Sequence, residues 1–540
     1  QSPLNPRFFS YGSLPLYLLR LVQALLALPD ARLHVAGRYL SVVADLLTLA
    51  VVLRLGCRLG VRRAGILAAA FYAVAVLPLQ LSHYATVDTL LTLLCTLALY
   101  CLVVVAQRGS RRAGLLAGVF SGLALATKSS ALPLLVVAGI AWTANALRGP
   151  EPPRVGRHLA GLVLTVLAVL VAFFLAEPYA LLDWYHFGAG LFQEMAMARG
   201  WLPVAYTRQY VGAVPYLYAL RQLVLWSLGL PLGLLAITAM LWLSLGAVRR
   251  WRPAELVLAG WFWFFFGLVG GSFAQFARYM APLVPVLCLA AGLLLNRLWR
   301  RSKGTCWRGS SATWGRDAHA LAIDDGARPV ASARGLATPA SALAVAVLGL
   351  SLAYAVAFAG LYLRTHPWIT ASRWLCAQAP QGATVVAEVW DDTLPVRAVE
   401  GCAATYRQIW IDPYAPEDGA KLASIVEALQ QAQYVVLPSQ RAYASVGLQA
   451  ERYPLIAAYY RRLFSGDLGY ELVYAGSNYP RLGSLALVAH QRPAAAGAPR
   501  ALFRPRRRKL LCLRSSPGAH LREAAGADSS GVASLEEVGR

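Results

Sequence analysis

Leu79-Gln80-Leu81-Ser82-His83-Tyr84-Ala85-Thr86-Val87-Asp88-Thr89-Leu90-Leu91 joins two long apolar runs through a short polar corner that holds one carboxylate. The flanking runs, roughly 64 to 82 and 88 to 106, are each about 20 residues, the length that spans the hydrocarbon of a bilayer. Asp88 is therefore expected at a membrane surface. Cations gather at the far ends of both runs, Arg62 and Arg63 before them and Arg108, Arg111 and Arg112 after them. The positive-inside bias puts those ends in the cytoplasm and Asp88 on the outer side.

Composition supports the same class. The 540 residues are 58% hydrophobic and only 14% charged, which excludes an ordinary soluble globular protein and leaves a polytopic α-helical membrane protein. A net charge of +24 would suggest nucleic acid in a soluble chain. Here the basic residues sit at the ends of apolar runs or in the last forty residues, so topology and anionic lipid account for them and no nucleic-acid partner is expected. The eight cysteines show no CxxC pair and no metal-ligand spacing. Cys376 and Cys402 alone share an extramembrane region, where a disulfide is one option.

Apolar runs recur at about 37 to 56, 64 to 82, 88 to 106, 112 to 126, 131 to 147, 158 to 177, 228 to 247, 255 to 272, 280 to 298 and 339 to 362, roughly ten spans. Residues 37–298 form the main bundle. The short run near 112 carries Gly114, Gly118 and Gly122 at four-residue spacing, a close helix-packing face. Residues 1–36 read as an irregular, aromatic-rich outer loop followed by a helix lying in the membrane surface. Residues 177–227 form a long outer loop, 299–338 a cytoplasmic loop and 339–362 the last span. Residues 363–495 then read as a small extracytoplasmic α/β domain, with strands at Ala383–Val389 and Tyr434–Leu437 and helices at Lys421–Gln431 and Leu455–Leu463. Residues 496–540, with Arg506-Arg507-Arg508-Lys509, read as a disordered basic tail.

The outer corners collect polar groups beside lipid: Asn5, Arg7, His83, Asp88, Lys128, Glu177, Tyr179, Asp183, Arg208, Arg278 and Tyr279. Transfer of a sugar from a lipid phosphate to a hydroxyl needs such a set. The acceptor hydroxyl needs a carboxylate to take its proton, and the leaving phosphate needs cations or helix N-termini to hold its charge. Asp88 suits a catalytic or substrate-contacting role and equally suits a helix N-cap. His83 suits a substrate contact or a plain interfacial histidine. Glu177 ends a span, where the helix dipole disfavours a carboxylate, so a partner or a function must offset it. Asp183 fits a substrate contact or a turn. Arg278 precedes Met280-Ala281-Pro282, where a cation and a helix N-terminus converge on a phosphate site; the alternative is a snorkelling arginine. Arg208 has a similar, weaker claim, and Lys128 also fits a helix C-terminal cation. Asp45, inside a run, calls for an internal partner. Asp391 and Asp392 read as a turn after a strand, and no metal site is expected.

Four stretches carry a resemblance: Ser82-His83-Tyr84-Ala85-Thr86-Val87-Asp88-Thr89, Gly122-Leu123-Ala124-Leu125-Ala126-Thr127-Lys128, Glu177-Pro178-Tyr179 and Arg278-Tyr279-Met280-Ala281-Pro282-Leu283-Val284-Pro285. In order and position across about 200 residues they resemble the bacterial branch of the dolichyl-phosphate-mannose protein mannosyltransferase family, whose relatives include the aminoarabinose transferases acting on lipid A. The resemblance implies a GT-C-type bundle, a polyprenyl-phosphate-linked sugar donor, inversion at the anomeric carbon and no required metal or other cofactor. It also implies a principal catalytic carboxylate on the first outer loop. This chain opens at Gln1 without a signal peptide or first anchoring span and reads as starting downstream of that carboxylate, so Asp88 and Glu177 are expected in supporting roles. The expected activity is glycosyl transfer on the outer face to an undefined acceptor. Two rivals are a transporter or flippase of lipid-linked sugars, for which Asp45 speaks, and a multi-span scaffold with an external binding domain.

Overall fold

In the computed structural model, which describes residues 4–148, 155–202, 204–302, 338–396, 399, 402, 405–487 and 510–515, the apolar runs are helices. They are α1 (Leu14–Leu25), α2 (Leu33–Arg58), α3 (Arg62–Ala73), α4 (Val76–Ser82), α5 (Val87–Arg108), α6 (Arg111–Leu125), α7 (Pro133–Ala146), α8 (Val155–Ala176), α9 (Tyr179–Leu182), α10 (Trp184–Arg199), α11 (Leu217–Gln222), α12 (Leu230–Arg249), α13 (Pro253–Gly270), α14 (Val284–Ser302) and α15 (Pro339–Ala359). Among the described residues, eight helices are long and apolar enough to cross a bilayer, or nine if α3 and α4 make one bent span. The chain is a multi-pass membrane protein.

Two expectations about the spans change. The run 64 to 82 is broken, with α3 and α4 meeting at 57°. Pro78 has no amide hydrogen for the carbonyl of Val74, four residues earlier, and its ring crowds that carbonyl, so the helix breaks there. The run near 112 to 126 becomes the 15-residue α6, about 22 Å long and shorter than the roughly 30 Å hydrocarbon. It is not among the spans that pass by length. Gly109, with φ of +61°, ends α5, and Ser110 caps α6 by accepting from the Ala113 amide. The three spaced glycines then let α6 lie directly on α8: a Cβ at Gly118 would strike the carbonyl oxygen of Thr165, and one at Gly122 that of Val169.

The chain divides into two compact units, residues 1–184, 221–269 and 277–353 in the first and 185–220, 270–276 and 354–540 in the second. Within the second unit, a five-stranded sheet has the order β2-β1-β3-β7-β4. Its strands are β1 (Thr384–Glu388), β2 (Arg407–Ile411), β3 (Tyr434–Leu437), β4 (Tyr470–Gly476) and β7 (Leu510–Ser515); β5 (Arg481–Leu482) and β6 (Leu485–Ala486) form a separate hairpin. β1 pairs in parallel with β2 and β3, while β7 runs antiparallel to β3 and β4. Helices α16 (Pro367–Gln378), α17 (Gly419–Gln431) and α18 (Pro454–Ser465) complete this α/β region. Val386, Val435, Leu437, Ile456 and Tyr460 form one buried core and Leu375, Val385, Val436 and Leu394 another, because residues alternate faces along a strand. Cys376 and Cys402 are joined by a disulfide. The expected tail 496–540 is corrected in one place, since 510–515 is a sheet strand. Its other residues, and nearly all of loop 299–338, lie outside the described residues.

Candidate functional site

The corner at Asp88 is the centre of a buried ion cluster in the first unit. The cap of α5 is Thr86, so Asp88 is not the N-cap but the second residue of the helix, in its first turn. A carboxylate is favoured there by the helix dipole. It is 2% exposed, and burying it requires partners. Lys128 supplies one, its Nζ donating to Asp88 Oδ1 at 2.8 Å. Arg278 supplies the other, with Nε 3.9 Å from Oδ2. Two cations on one carboxylate leave a local excess of one positive charge.

Each cation reaches this point by a turn in the backbone. Lys128 follows the C-terminus of α6, where helical bonding stops and carbonyls are left over. The Ala126 and Thr127 carbonyls accept from the Leu14 and Gly12 amides, both at 3.2 Å, so residues 12–14 lie across that helix end. Gly12 is required for this approach, since a Cβ there would meet the Ala126 carbonyl. The strap brings Tyr11 to the cluster: its hydroxyl accepts from Arg278 Nη2 at 3.4 Å, and its ring lies 5.6 Å from Lys128 Nζ. Arg278 sits in a 3-10 turn, Ala277–Leu283, ahead of α14, whose α-helical part starts at Val284. The helix start expected beside Arg278 is this 3-10 segment, which opens at Ala277 and runs on into α14. The Tyr279 ring centroid lies 4.2 Å from Lys128 Nζ, so a cation–π contact also steadies the ammonium.

Glu177 lies at the other end of the strap. It is fully buried, with Oε2 accepting from the Ser13 amide at 2.5 Å and Oε1 from the Ser13 hydroxyl at 2.6 Å. Ser13 is the N-cap of α1, so the carboxylate that closes α8 also caps α1. The positive end of one helix dipole offsets the negative end of the other. Burial pushes the Glu177 carboxyl above its ordinary range, and the two Ser13 hydrogen bonds oppose that rise. Asp183 accepts from Asn5 Nδ2 at 3.1 Å, fixing the start of the strap. Tyr179 is buried at the first turn of α9.

The structure therefore brings together Asp88, Lys128, Arg278 and Tyr279, and places Glu177 and Asp183 under the strap that crosses them. His83 caps the end of α4, its Nδ1 2.7 Å from the Leu79 carbonyl. Arg208 belongs to the second unit, where it donates to the Tyr414 carbonyl at 3.1 Å and lies over the rings of Tyr414 and Tyr453. Asp45 has its internal partner, the Tyr72 hydroxyl at 2.6 Å. Asp391 follows β1 in a turn, as expected, and accepts from the Ser439 hydroxyl at 2.7 Å. Among the described residues, no three His, Cys, Asp or Glu side chains converge as a metal site. Tyr11, Gly12 and Ser13 join the candidate site from a stretch whose sequence pattern reads as an irregular loop. Ser13-Leu14-Pro15, a capping residue followed by an early proline, is the helix-start signal that marks them.

Comparison with known proteins bears on this region. No curated protein sequence matches the chain. Among solved structures, the apo oligosaccharyltransferase of Archaeoglobus fulgidus is similar at 14% identity and a TM-score of 0.45, covering 84% of this chain and 64% of its own. This chain thus spans less than two thirds of that protein's length. ArnT from Cupriavidus metallidurans, bound to undecaprenyl phosphate, is similar at 15% identity and a TM-score of 0.44, covering 94% of this chain and 90% of its own. Residues 13–181, which carry Ser13, Asp88, Lys128 and Glu177, match the family described as dolichyl-phosphate-mannose-protein mannosyltransferase, and over that stretch the resemblance drawn from the motifs is upheld.

Proposed function

We propose that the protein is a membrane glycosyltransferase that moves a sugar from a polyprenyl-phosphate donor to an acceptor hydroxyl on the extracytoplasmic face, with inversion at the anomeric carbon. The observation that carries this reading is the cluster in which Asp88 holds Lys128 and Arg278 together with one positive charge in excess. In the reaction, the acceptor oxygen bonds to the anomeric carbon as the bond from that carbon to the phosphate oxygen breaks, and the hydroxyl's proton passes to a general-base carboxylate, the role that the resemblance gives to the first outer loop. The electron pair stays on the phosphate, and attack from the opposite face inverts the carbon. A leaving phosphate takes charge rather than a proton, so paired cations are the groups that stabilise it. In this reading Lys128 and Arg278 grip the phosphate, Tyr279 and Tyr11 flank it, and Asp88 is a positioning residue. Asp88 and Glu177 both already accept hydrogen bonds, which suits holding geometry better than taking the acceptor's proton. Glu177 and Asp183 tie down the strap that carries Tyr11.

The arginines support this sidedness. α5 is about 33 Å long and runs from Asp88 to Arg108, so the cluster and the arginine-rich ends lie at opposite ends of one spanning helix. The Cys376–Cys402 disulfide supports an oxidising, extracytoplasmic location for the C-terminal domain. Asp45, on which the flippase alternative rested, is hydrogen-bonded to Tyr72. The test is transfer in proteoliposomes from a labelled polyprenyl-phosphate sugar. Product formation that falls at least tenfold in Lys128→Met and Arg278→Gln is expected; a wild-type chain that translocates the donor without consuming it would refute the reading.

A further inference from the structure

The second unit carries a polar cavity of about 390 Å³ that plays no part in the cluster at Asp88. It is lined by Arg364, Thr370, Tyr474, Ser477, Asn478 and Arg481 among others, and none of its lining residues is acidic. Arg364 is held in place, its Nη1 donating to the Tyr479 carbonyl at 2.8 Å and to Asn478 Oδ1 at 3.3 Å. The Arg481 side chain makes no hydrogen bond or ion pair among the described residues, and its backbone opens the β5–β6 hairpin. Tyr474 and Thr370 share a hydroxyl hydrogen bond at 3.1 Å and line the same wall.

Its position along the chain gives this cavity a depth. The last span ends at Ala359, and Asn478 Nδ2 donates at 3.3 Å to the carbonyl of Leu361, two residues beyond. Two residues reach at most about 7 Å, roughly the thickness of one headgroup layer. Leu363, next to Arg364 in the chain, is 89% exposed, so an apolar side chain accompanies that arginine at the layer; Leu485, on the hairpin, is 63% exposed. Arginine forks match phosphate oxygens, and leucines beside them match the acyl boundary.

We propose that this cavity binds the phosphate of an anionic phospholipid headgroup, with Arg364 and Arg481 as its two cationic walls and Leu363 and Leu485 seated in the adjoining lipid. The site moors the C-terminal domain to the bilayer beside its own span, and it is independent of the glycosyl-transfer reading.

The test uses the full chain in zwitterionic micelles with a phosphatidylglycerol whose headgroup is photoactivatable, adducts being mapped by peptide mass spectrometry. Adducts are expected on 364–370 and 474–481. Arg481→Gln should lower them about fivefold and Arg364→Gln with Arg481→Gln about 25-fold, the factor expected for each cation near an anionic lipid. Adducts on the cytoplasmic arginine clusters should not change and serve as the internal standard. Arg481 anchors nothing, so its variant folds even where loss of Arg364 loosens the 478–479 turn. Equal labelling by the phosphatidylcholine analogue, undiminished labelling in Arg481→Gln, or displacement by equimolar inorganic phosphate would each overturn the assignment, the last in favour of a soluble-phosphate site.

Discussion

Asp88→Asn removes one charge while keeping shape, and its effects separate a positioning carboxylate from a proton acceptor. Asp88 and Lys128 have side chains 3% and 14% exposed, so the substitution leaves a nearly buried ammonium without its counter-charge. Breaking such a pair from one side costs about 3–5 kcal/mol. Lys128 keeps some water and Tyr279 beneath it, which favours about 3 kcal/mol. Arg278, 39% exposed and 3.9 Å away, adds no more than about 1 kcal/mol. At about 1–2 °C per kcal/mol for a unit of this size the thermal midpoint should fall by roughly 3–6 °C, read by tryptophan fluorescence at one fixed scan rate. Adding Lys128→Met to Asp88→Asn removes both charges and should restore most of that loss, a coupling of about 2–3 kcal/mol. With labelled donor in proteoliposomes, Asp88→Asn should raise the donor KM about 10- to 100-fold as the cations lose register, the scale of a charge-assisted hydrogen bond. A proton acceptor behaves differently, since its loss lowers kcat about 10²–10⁴-fold and leaves folding alone. An unchanged midpoint, or a double variant no more stable than Asp88→Asn, would refute the positioning role.

Glu177→Gln places an amide where two Ser13 donors converge, so one of them loses its acceptor; about 1–3 kcal/mol is expected. Limited proteolysis within residues 4–13 should accelerate accordingly. Gly118→Val drives a side chain into the Thr165 carbonyl and should cost at least about 1–3 kcal/mol, seen as a lower midpoint and poor yield of folded protein. In the C-terminal domain, Glu388 is buried with Oε1 accepting from the Tyr460 hydroxyl at 2.7 Å, and burial pushes its carboxyl up to about 8 from 4.5. The native state therefore keeps a proton that the unfolded chain releases. Stability is complete below about pH 4.5 and falls by about 3–6 kcal/mol as pH rises to 8, a slope that Glu388→Gln should flatten in hydrogen exchange of β1. Reducing Cys376–Cys402, which closes a 26-residue separation, should lower the domain's stability by about 3 kcal/mol, measured by exchange with and without reductant.

The run lengths, the arginine ends and the alternating corners determined a multi-pass helical protein, because spanning a bilayer constrains composition over some 20 contiguous residues and leaves that constraint written locally. The four-residue glycine spacing named its packing face for the same reason, since one helix face repeats in sequence. The patterns of two strands, β1 and β3, and of helices α17 and α18 in the C-terminal domain were equally local, whereas β2, β4 and β7 and the pairing of all five emerge only in the sheet. The pairing of Asp88 with Lys128 and Arg278, 40 and 190 residues away, belongs only to the tertiary structure. So does the choice of the Ser13 amide and hydroxyl, 164 residues distant, as the partners of Glu177. A buried charge accepts any donor of suitable geometry, and which donor arrives is decided by how helix ends meet, a relation that no single stretch of chain encodes.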